Sequence, residues 1–389
     1  MGLNFRSVFA SIIVSVVFLG GCSSDVVSNN PSSHSPVIHQ TLKSAYADKF
    51  LIGATLNDYL VANHNDRSVA IVKQHFSAAT MDNAMKWEVF NPQPETYNFT
   101  APDNFVDFTT ENDIAAVGHV LYWHSQTPDW VYKDQQGNLL SREALLNRMR
   151  QRAKLMAARY GKTIKIWDVV NEALEDDGSL RQSMYNQIIG DDFIEQAFII
   201  ASQELPADSV LLYNDYGMTR PGRRDTVIKL VTELQAKNIK IDGIGVQGHW
   251  DMQRPSISEI ATSFDAFIAT GLPIHITELD VDYLGREEFF GANVDITKLV
   301  ATPQNNPYAD GQFPATADQE LGDRYVDIFK LFLKYHQNIE RVTFWGVTDD
   351  NSWLNGWPVA GRTNYPLLFN RDGSEKQALK RVIQLGSDY

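Results

Sequence analysis

Eight short apolar runs alternate along this chain with longer amphipathic stretches, and no other feature narrows the fold so far. The strand candidates are 50–56, 76–80, 114–123, 164–172, 209–216, 243–250, 273–280 and 341–348. The amphipathic stretches are clearest at 142–160, 192–204, 223–237, 257–270 and 318–336, and 374–384 closes the chain. Gly161, Asn238, Gly271 and Asn338 follow helical stretches, as expected of C-caps. Repeated strand–helix units imply a parallel sheet. Eight of them predict a single α/β domain, a closed (β/α)8 TIM barrel over residues 41–389.

Each predicted strand is apolar early and polar at its end: His119 to His124, Asn171-Glu172, Asn214-Asp215, Gln247 to His249, Glu278 to Asp280, and Asp349-Asp350. A barrel gathers these ends on one rim, the face where such folds carry chemistry. A purely structural barrel has no need of acids, amides and Trp there.

The 48 acidic and 34 basic residues leave a net charge of −14. That balance argues against nucleic acid, whose phosphates require Lys and Arg. It disfavours anionic polysaccharides and suits a neutral polymer. The eight Trp and fifteen Tyr suit flat sugar faces, although core filling accounts for most of them.

Residues 1–21 read as an export signal: Arg6 supplies the positive end, 12–19 form an apolar stretch too short to span a bilayer, and Leu19-Gly20-Gly21-Cys22 resembles a lipobox. Cys22 is the single cysteine, so no intramolecular disulfide is possible. It is the expected lipidation site and membrane anchor. Ser23 in place of Asp resembles an outer-membrane address in a Gram-negative bacterium. Residues 22–40, rich in Ser, Asn and Pro, read as a flexible tether.

Cleaving a glycosidic bond takes two carboxyl groups, one to protonate the departing oxygen and one to attack the anomeric carbon or activate water. They should come from different strands of one rim. Residues 164–173, IKIWDVVNEA, supply Glu172, which period-two alternation places on a face with Val170, Asp168 and Ile166. Asn171 beside it can reach a sugar hydroxyl. Residues 274–280, IHITELD, supply Glu278, with Asp280 two places on. Gln247 and His249 on the preceding strand have the same spacing. His249 can orient Glu278, with Asp280 fixing the imidazole tautomer. This reading of the residues stops at a retaining or inverting hydrolase of a neutral glycan.

The segment 167–173, WDVVNEA, resembles the acid/base signature of glycoside hydrolase family 10, the β-1,4-xylanases, and ITELD at 276–280 resembles its nucleophile motif. GHVLYWHSQTPDW at 118–130, FWGVTD at 344–349 and Ser352-Trp353 are similar to its third-strand and eighth-strand motifs. The likeness runs from about residue 45 to the C-terminus. It implies a retaining endo-β-1,4-xylanase in which Glu172 is the acid/base and Glu278 the nucleophile. Asn171 would bind the 2-hydroxyl of the attacked sugar, Gln247 would lie by the nucleophile, and His249 would bond Glu278 with Asp280 behind it. It further implies that Asn83, Lys86, His119 and Trp123 line the glycone side, with His124 beside the third-strand end. Trp345 and Trp353 would wall the cleavage point, and Tyr216 would take the aglycone side. No cofactor, metal or nucleic acid is implied. The expected partners are xylan or xylo-oligosaccharide and the membrane, with the chain a monomer.

This sequence departs from that pattern at Asp82, where the family usually has Glu before Asn83, one methylene longer. The stretch 284–317 is also long for a connection, a length that often marks function. Its acids, Glu287, Glu288, Asp295 and Asp310, are not spaced like a calcium loop. Two alternatives share the same rim: a related retaining β-glycosidase acting on short oligosaccharides, and a non-catalytic glycan-binding lipoprotein.

Overall fold

The computed structural model describes residues 40–286, 289 and 296–389. The expectations for the signal, lipobox and tether at 1–39 lie outside these residues, as do Glu287, Glu288 and Asp295.

Eight parallel strands form the sheet: β1 Leu51–Leu56, β2 Ala78–Met81, β3 Ala115–Gly118, β4 Ile166–Asn171, β5 Val210–Asp215, β6 Gly243–Val246, β7 Ile274–Asp282 and β8 Ile339–Phe344. Each pairs with its neighbours in chain order. β8 pairs with both β7 and β1, with Ile52 opposite Val342 and Ile276 opposite Val342, so the sheet closes on itself. The longest helix after each strand is, in order, α1 Arg67–His75, α2 Thr100–Glu111, α3 Arg142–Tyr160, α4 Phe193–Glu204, α5 Pro221–Ala236, α6 Ile257–Ile268, α7 Ala315–Lys334 and α8 Gln377–Asp388, with the shorter helices Asp58–Ala62, Trp87–Phe90 and Met184–Ile189 preceding α1, α2 and α4. The architecture is the predicted (β/α)8 barrel.

Local chemistry explains the helix ends. Ser141 caps α3 by accepting from Ala144 N, and Ser256 opens α6 with a reciprocal capping box to Glu259. α3 buries Leu145, Met149, Arg152, Ala153 and Met156 on one side. Arg152 belongs there because its guanidinium donates to the main-chain carbonyls of Met85, Val120 and Leu121, satisfying a loop that leaves the sheet.

The structure corrects several boundaries. The run 114–123 is not one strand: β3 ends at Gly118, and Tyr122–Trp123 forms a separate short strand against β4. A cis peptide joins His119 and Val120. The run 243–250 is likewise divided, because Gly248 (φ 81°) turns the chain before the short strand His249–Asp251. β8 begins at Ile339 and ends at Phe344, earlier than 341–348. Of the four expected C-caps, Asn238 and Gly271 take left-handed φ of 56° and 81°. Gly161 stays right-handed at −63°, and Asn338 closes a 3-10 turn. Apolar periodicity does not reveal helices α1 and α2. Their buried sides mix Ser68, His75 and Thr109 with apolar residues, which blurs the pattern.

Candidate active site

Period-two alternation fails where it matters most. β4 carries a bulge between Asp168 and Val170, and Glu172 adopts φ 55°, a left-handed conformation uncommon for a side chain of its size. On a regular strand Asn171 and Glu172 would face opposite ways. Here both reach the same amide: Gln247 Nε2 donates to Glu172 Oε1 at 2.9 Å and to Asn171 Oδ1 at 3.2 Å. Trp123 Nε1 donates to Glu172 Oε2 at 2.9 Å, fixing the second oxygen.

Glu278 is held as firmly. Its main-chain N–H donates to the Gln247 carbonyl at 2.7 Å. Asn214 Nδ2 donates to Glu278 Oε1 at 2.8 Å and to Asn171 Oδ1 at 3.0 Å, while Thr277 Oγ1 donates to Asn214 Oδ1 at 2.6 Å. His249 Nε2 faces Glu278 Oε2 at 3.2 Å and His249 Nδ1 faces Asp280 Oδ2 at 2.9 Å. Trp353 Nε1 donates to the same Asp280 oxygen at 2.8 Å. Side chains from β4, β5 and β7, from the end of β6 and from the short strands Tyr122–Trp123 and His249–Asp251 thus meet in one continuous network, with Glu172 and Glu278 joined through Gln247, Asn171 and Asn214.

Electrostatics follow this geometry. Burial works against a charge on His249, but Asp280 and Glu278 on its two ring nitrogens raise it to about 9. Burial alone would raise Glu278. The hydrogen bond from His249, the charges of His119 and His249, and the Asn214 amide bring it below the ordinary carboxylate value. The arrangement presents one ionised carboxylate facing a second carboxyl group across a pair of fixed amides.

The remaining expected residues lie around this network. Lys86 is buried, donates from Nζ to Asn83 Oδ1 at 3.0 Å and lies 4.8 Å from the Trp123 ring centre. Burial lowers its proton affinity, opposed by the charges of Glu278, Asp82 and Glu172. His119 Nδ1 faces Asp168 Oδ2 at 2.8 Å, and its ring meets Trp345 edge-on at 5.4 Å. Trp353 lies 5.0 Å from His249 and stacks on Trp357. His124 adjoins Trp123 and is held down to about 4, by burial and then by Arg181. Tyr216 accepts from Arg181 at 3.1 Å and lies under the Arg223 guanidinium. Asp82, half-buried, is pushed up to about 6 by burial against the pull of Lys86.

Four contributors have no role that the sequence alone assigns. Asn214 reads only as a polar strand end, and Asp168 only as a face-mate of Glu172. Arg181 donates to the Glu172 main-chain carbonyl at 3.1 Å. Arg286, from the long 284–317 stretch, donates to the His249 carbonyl at 2.8 Å and lies over Trp353. That stretch is fastened to the segment after β8 by Arg362, which donates to the carbonyls of Leu284, Gly285 and Asn305.

Two carboxyl groups on the C-terminal rim of a (β/α)8 barrel, bridged by amides and walled by indoles, define a glycoside hydrolase of the two-carboxylate class. A model described as "Glycosyl hydrolase family 10" matches residues 41–385. Endo-1,4-beta-xylanase A of Xylanibacter ruminicola is 40% identical over 345 residues, covering 89% of this chain and 93% of that protein. Endo-1,4-beta-xylanase of Geobacillus stearothermophilus is 38% identical over 348 residues, covering 89% and 98%. A solved GH10 endoxylanase retrieved from a sugarcane soil metagenome superposes with a TM-score of 0.84 at 38% identity, covering 89% of this chain and 99% of that one. A mutant protein solved in complex with xylotriose gives 0.78 at 33% identity, covering 88% and 99%. The chain belongs to glycosyl hydrolase family 10.

Proposed function

We propose that Glu278 is the nucleophile and Glu172 the acid/base of a retaining endo-β-1,4-xylanase. Family membership and relatives named endo-1,4-beta-xylanase support the activity: the chain hydrolyses xylan or xylo-oligosaccharides by double displacement. The observation that carries the assignment is the amide bridge from Glu172 through Gln247, Asn171 and Asn214 to Glu278.

Glu278, ionised against His249, attacks the anomeric carbon on the side opposite the leaving oxygen. The glycosidic bond breaks as Glu172 transfers its proton to the leaving oxygen, and a glycosyl ester forms on Glu278. Water then attacks the same carbon while Glu172 takes its proton. Glu278 leaves as a carboxylate and the sugar departs with its configuration retained. In this reading Asn171, whose Oδ1 accepts from both amides, meets the 2-hydroxyl. Lys86, Asn83, His119 and Trp123 bind the glycone side, His124 lies by the third-strand end, and Trp345 and Trp353 wall the cleavage point. Tyr216, held by Arg181, takes the aglycone side.

E278A tests the reading. It should fold, lose turnover, and in azide produce an α-glycosyl azide. Full hydrolysis by E278A would refute the assignment. Cys22 is the proposed lipid anchor to the outer membrane. Incorporation of labelled palmitate by the full chain, lost in C22S, supports it, and equal labelling of both rules it out. The catalytic barrel acts as a monomer in this reading, which sedimentation would check.

A further inference from the structure

We propose that Arg181 is a positioning residue for proton transfer: its guanidinium locks the main chain of Glu172 in register with the aglycone-side Tyr216. The inference rests on Glu172 being the acid/base and Tyr216 lying on the aglycone side, and it gives a role to a residue that no motif pointed to.

The chain doubles back directly after Glu172. Leu174 bridges Leu180 in antiparallel fashion, Glu175 N donates to Ser179 O at 2.8 Å, and Arg181 N donates to Ala173 O at 2.8 Å. Gly178 (φ 87°) makes the turn and packs so closely on Gly222 that a Cβ there would overlap the Gly222 carbonyl. This short, tied loop returns Arg181 to the level of Ala173, beside the acid/base that precedes it by nine residues.

The guanidinium then meets several groups at once. Nε donates to Glu172 O at 3.1 Å, Nη2 donates to Leu174 O and to Tyr216 Oη at 3.1 Å each, and Nη1 lies 3.4 Å from Glu175 Oε1. On the other side, Glu172 N donates to Asn214 O at 3.0 Å. The main chain of Glu172 is therefore held at both ends, by β5 and by Arg181. That matters because Glu172 has φ 55°, a conformation that a residue with a Cβ keeps only where its surroundings over-determine it. Gln247 and Trp123 fix the carboxyl oxygens, but the backbone from which the side chain springs needs its own restraint.

Arg223 shows what a scaffolding arginine does in the same loop. It is fully buried and donates to the carbonyls of Leu174, Glu175 and Tyr216, none of which belongs to the acid/base. The Arg181 side chain is 21% exposed, so water can replace its bonds when it is removed. What distinguishes it is that one planar fork bonds both the proton donor's main chain and the Tyr216 hydroxyl. The scissile oxygen lies between the sugar at the cleavage point and the sugar on the aglycone side. A donor pinned to the aglycone-side ring keeps its hydrogen-bond reach to that oxygen once the leaving sugar is seated.

The test is kcat/KM for a series of aryl xylobiosides, from a dinitrophenyl to an unactivated phenyl leaving group, on wild type, R181M, R181K and E172A, with thermal melts of each. R181M keeps the stem and removes every donor. R181K keeps the charge but lacks the fork that meets several acceptors together. R181M should lose about 10- to 100-fold on the phenyl substrate and less than about threefold on the dinitrophenyl one, whose departure needs little protonation. R181K should fall between wild type and R181M. A loosened Tyr216 would lower every substrate by one factor, so the dependence on leaving group reports Glu172 and not aglycone binding. Equal losses across the series in folded variants overturn the proposal, as do wild-type rates throughout. Failure of both variants to fold also overturns it, because the fork would then serve the barrel and not the acid. A strong leaving-group dependence in E172A without one in R181M removes only the role of Arg181, whereas its absence in E172A removes the acid assignment itself.

Discussion

Asn214 and Glu278 are joined by a 2.8 Å hydrogen bond, and the same Asn214 nitrogen also donates to Asn171 at 3.0 Å. One amide therefore registers the nucleophile of β7 against the sugar-binding end of β4, and Thr277 prevents the amide from turning over. N214A should lower kcat/KM about 10- to 100-fold, the range expected for one hydrogen bond to a charged group. Because this bond helps to lower Glu278, the acid limb should also move to higher pH. An unchanged profile on xylotetraose would show the bridge to be catalytically inert.

E172A removes the proton donor for the leaving group. An aryl xylobioside with a good leaving group needs little protonation, so its glycosylation step should survive far better than xylan hydrolysis. Paired assays on the two substrates measure the contrast, and equal losses would count against the acid role.

Gly118 closes β3 directly against the indole of Trp167. A Cβ there would overlap the Trp167 ring at three atoms, in a wall where Trp167 is fully buried. G118A should destabilise the barrel by about 1–3 kcal/mol, the usual penalty for overpacking. Urea unfolding monitored by tryptophan fluorescence checks this, and a midpoint equal to wild type would mean that the indole can move.

His75 is 3% exposed, accepts from Leu42 N and abuts Phe369 edge-on. Burial, then the Lys43 charge, holds it down to about 4, against about 6.5 in an unfolded chain. Between these values the unfolded chain binds a proton that the folded one does not, so stability is full above pH 6.5 and falls as pH drops towards 4. Relative to H75Q, wild type should lose about 2 kcal/mol between about pH 7 and pH 4.5. Asp215 and Asp349, raised by burial to about 7 and about 6, act in the opposite direction in both proteins and cancel in the difference. Parallel melts at the two pH values give the result, and matching slopes would exclude His75.

The barrel was legible in the sequence because strand and helix periodicities are local. The apolar run at 164–172 and the amphipathic stretch at 142–160 announce themselves without knowledge of what they touch. Residues marked by residue type at a strand end, such as Glu172, Glu278 and His249, were legible for the same reason. Asn214 was visible but mute, since its meaning lies in neighbours on β4 and β7. Arg341 opens the predicted strand 341–348, and only the structure shows that it is buried. Arg286 lies in a stretch with no periodic signal at all.

The chain's own order of residues determined the eight-fold alternation of strand and helix and the polar residue types at the strand ends. Folding alone decided how those side chains are aimed. The bulge in β4 and the left-handed turn at Glu172 put two consecutive residues on one side, contrary to strand alternation. Side-by-side pairing of β4, β5, β6 and β7 brought carboxyl groups more than a hundred residues apart into one network. Periodicity is a property of neighbours along the backbone, whereas direction and charge balance depend on contacts made across the barrel.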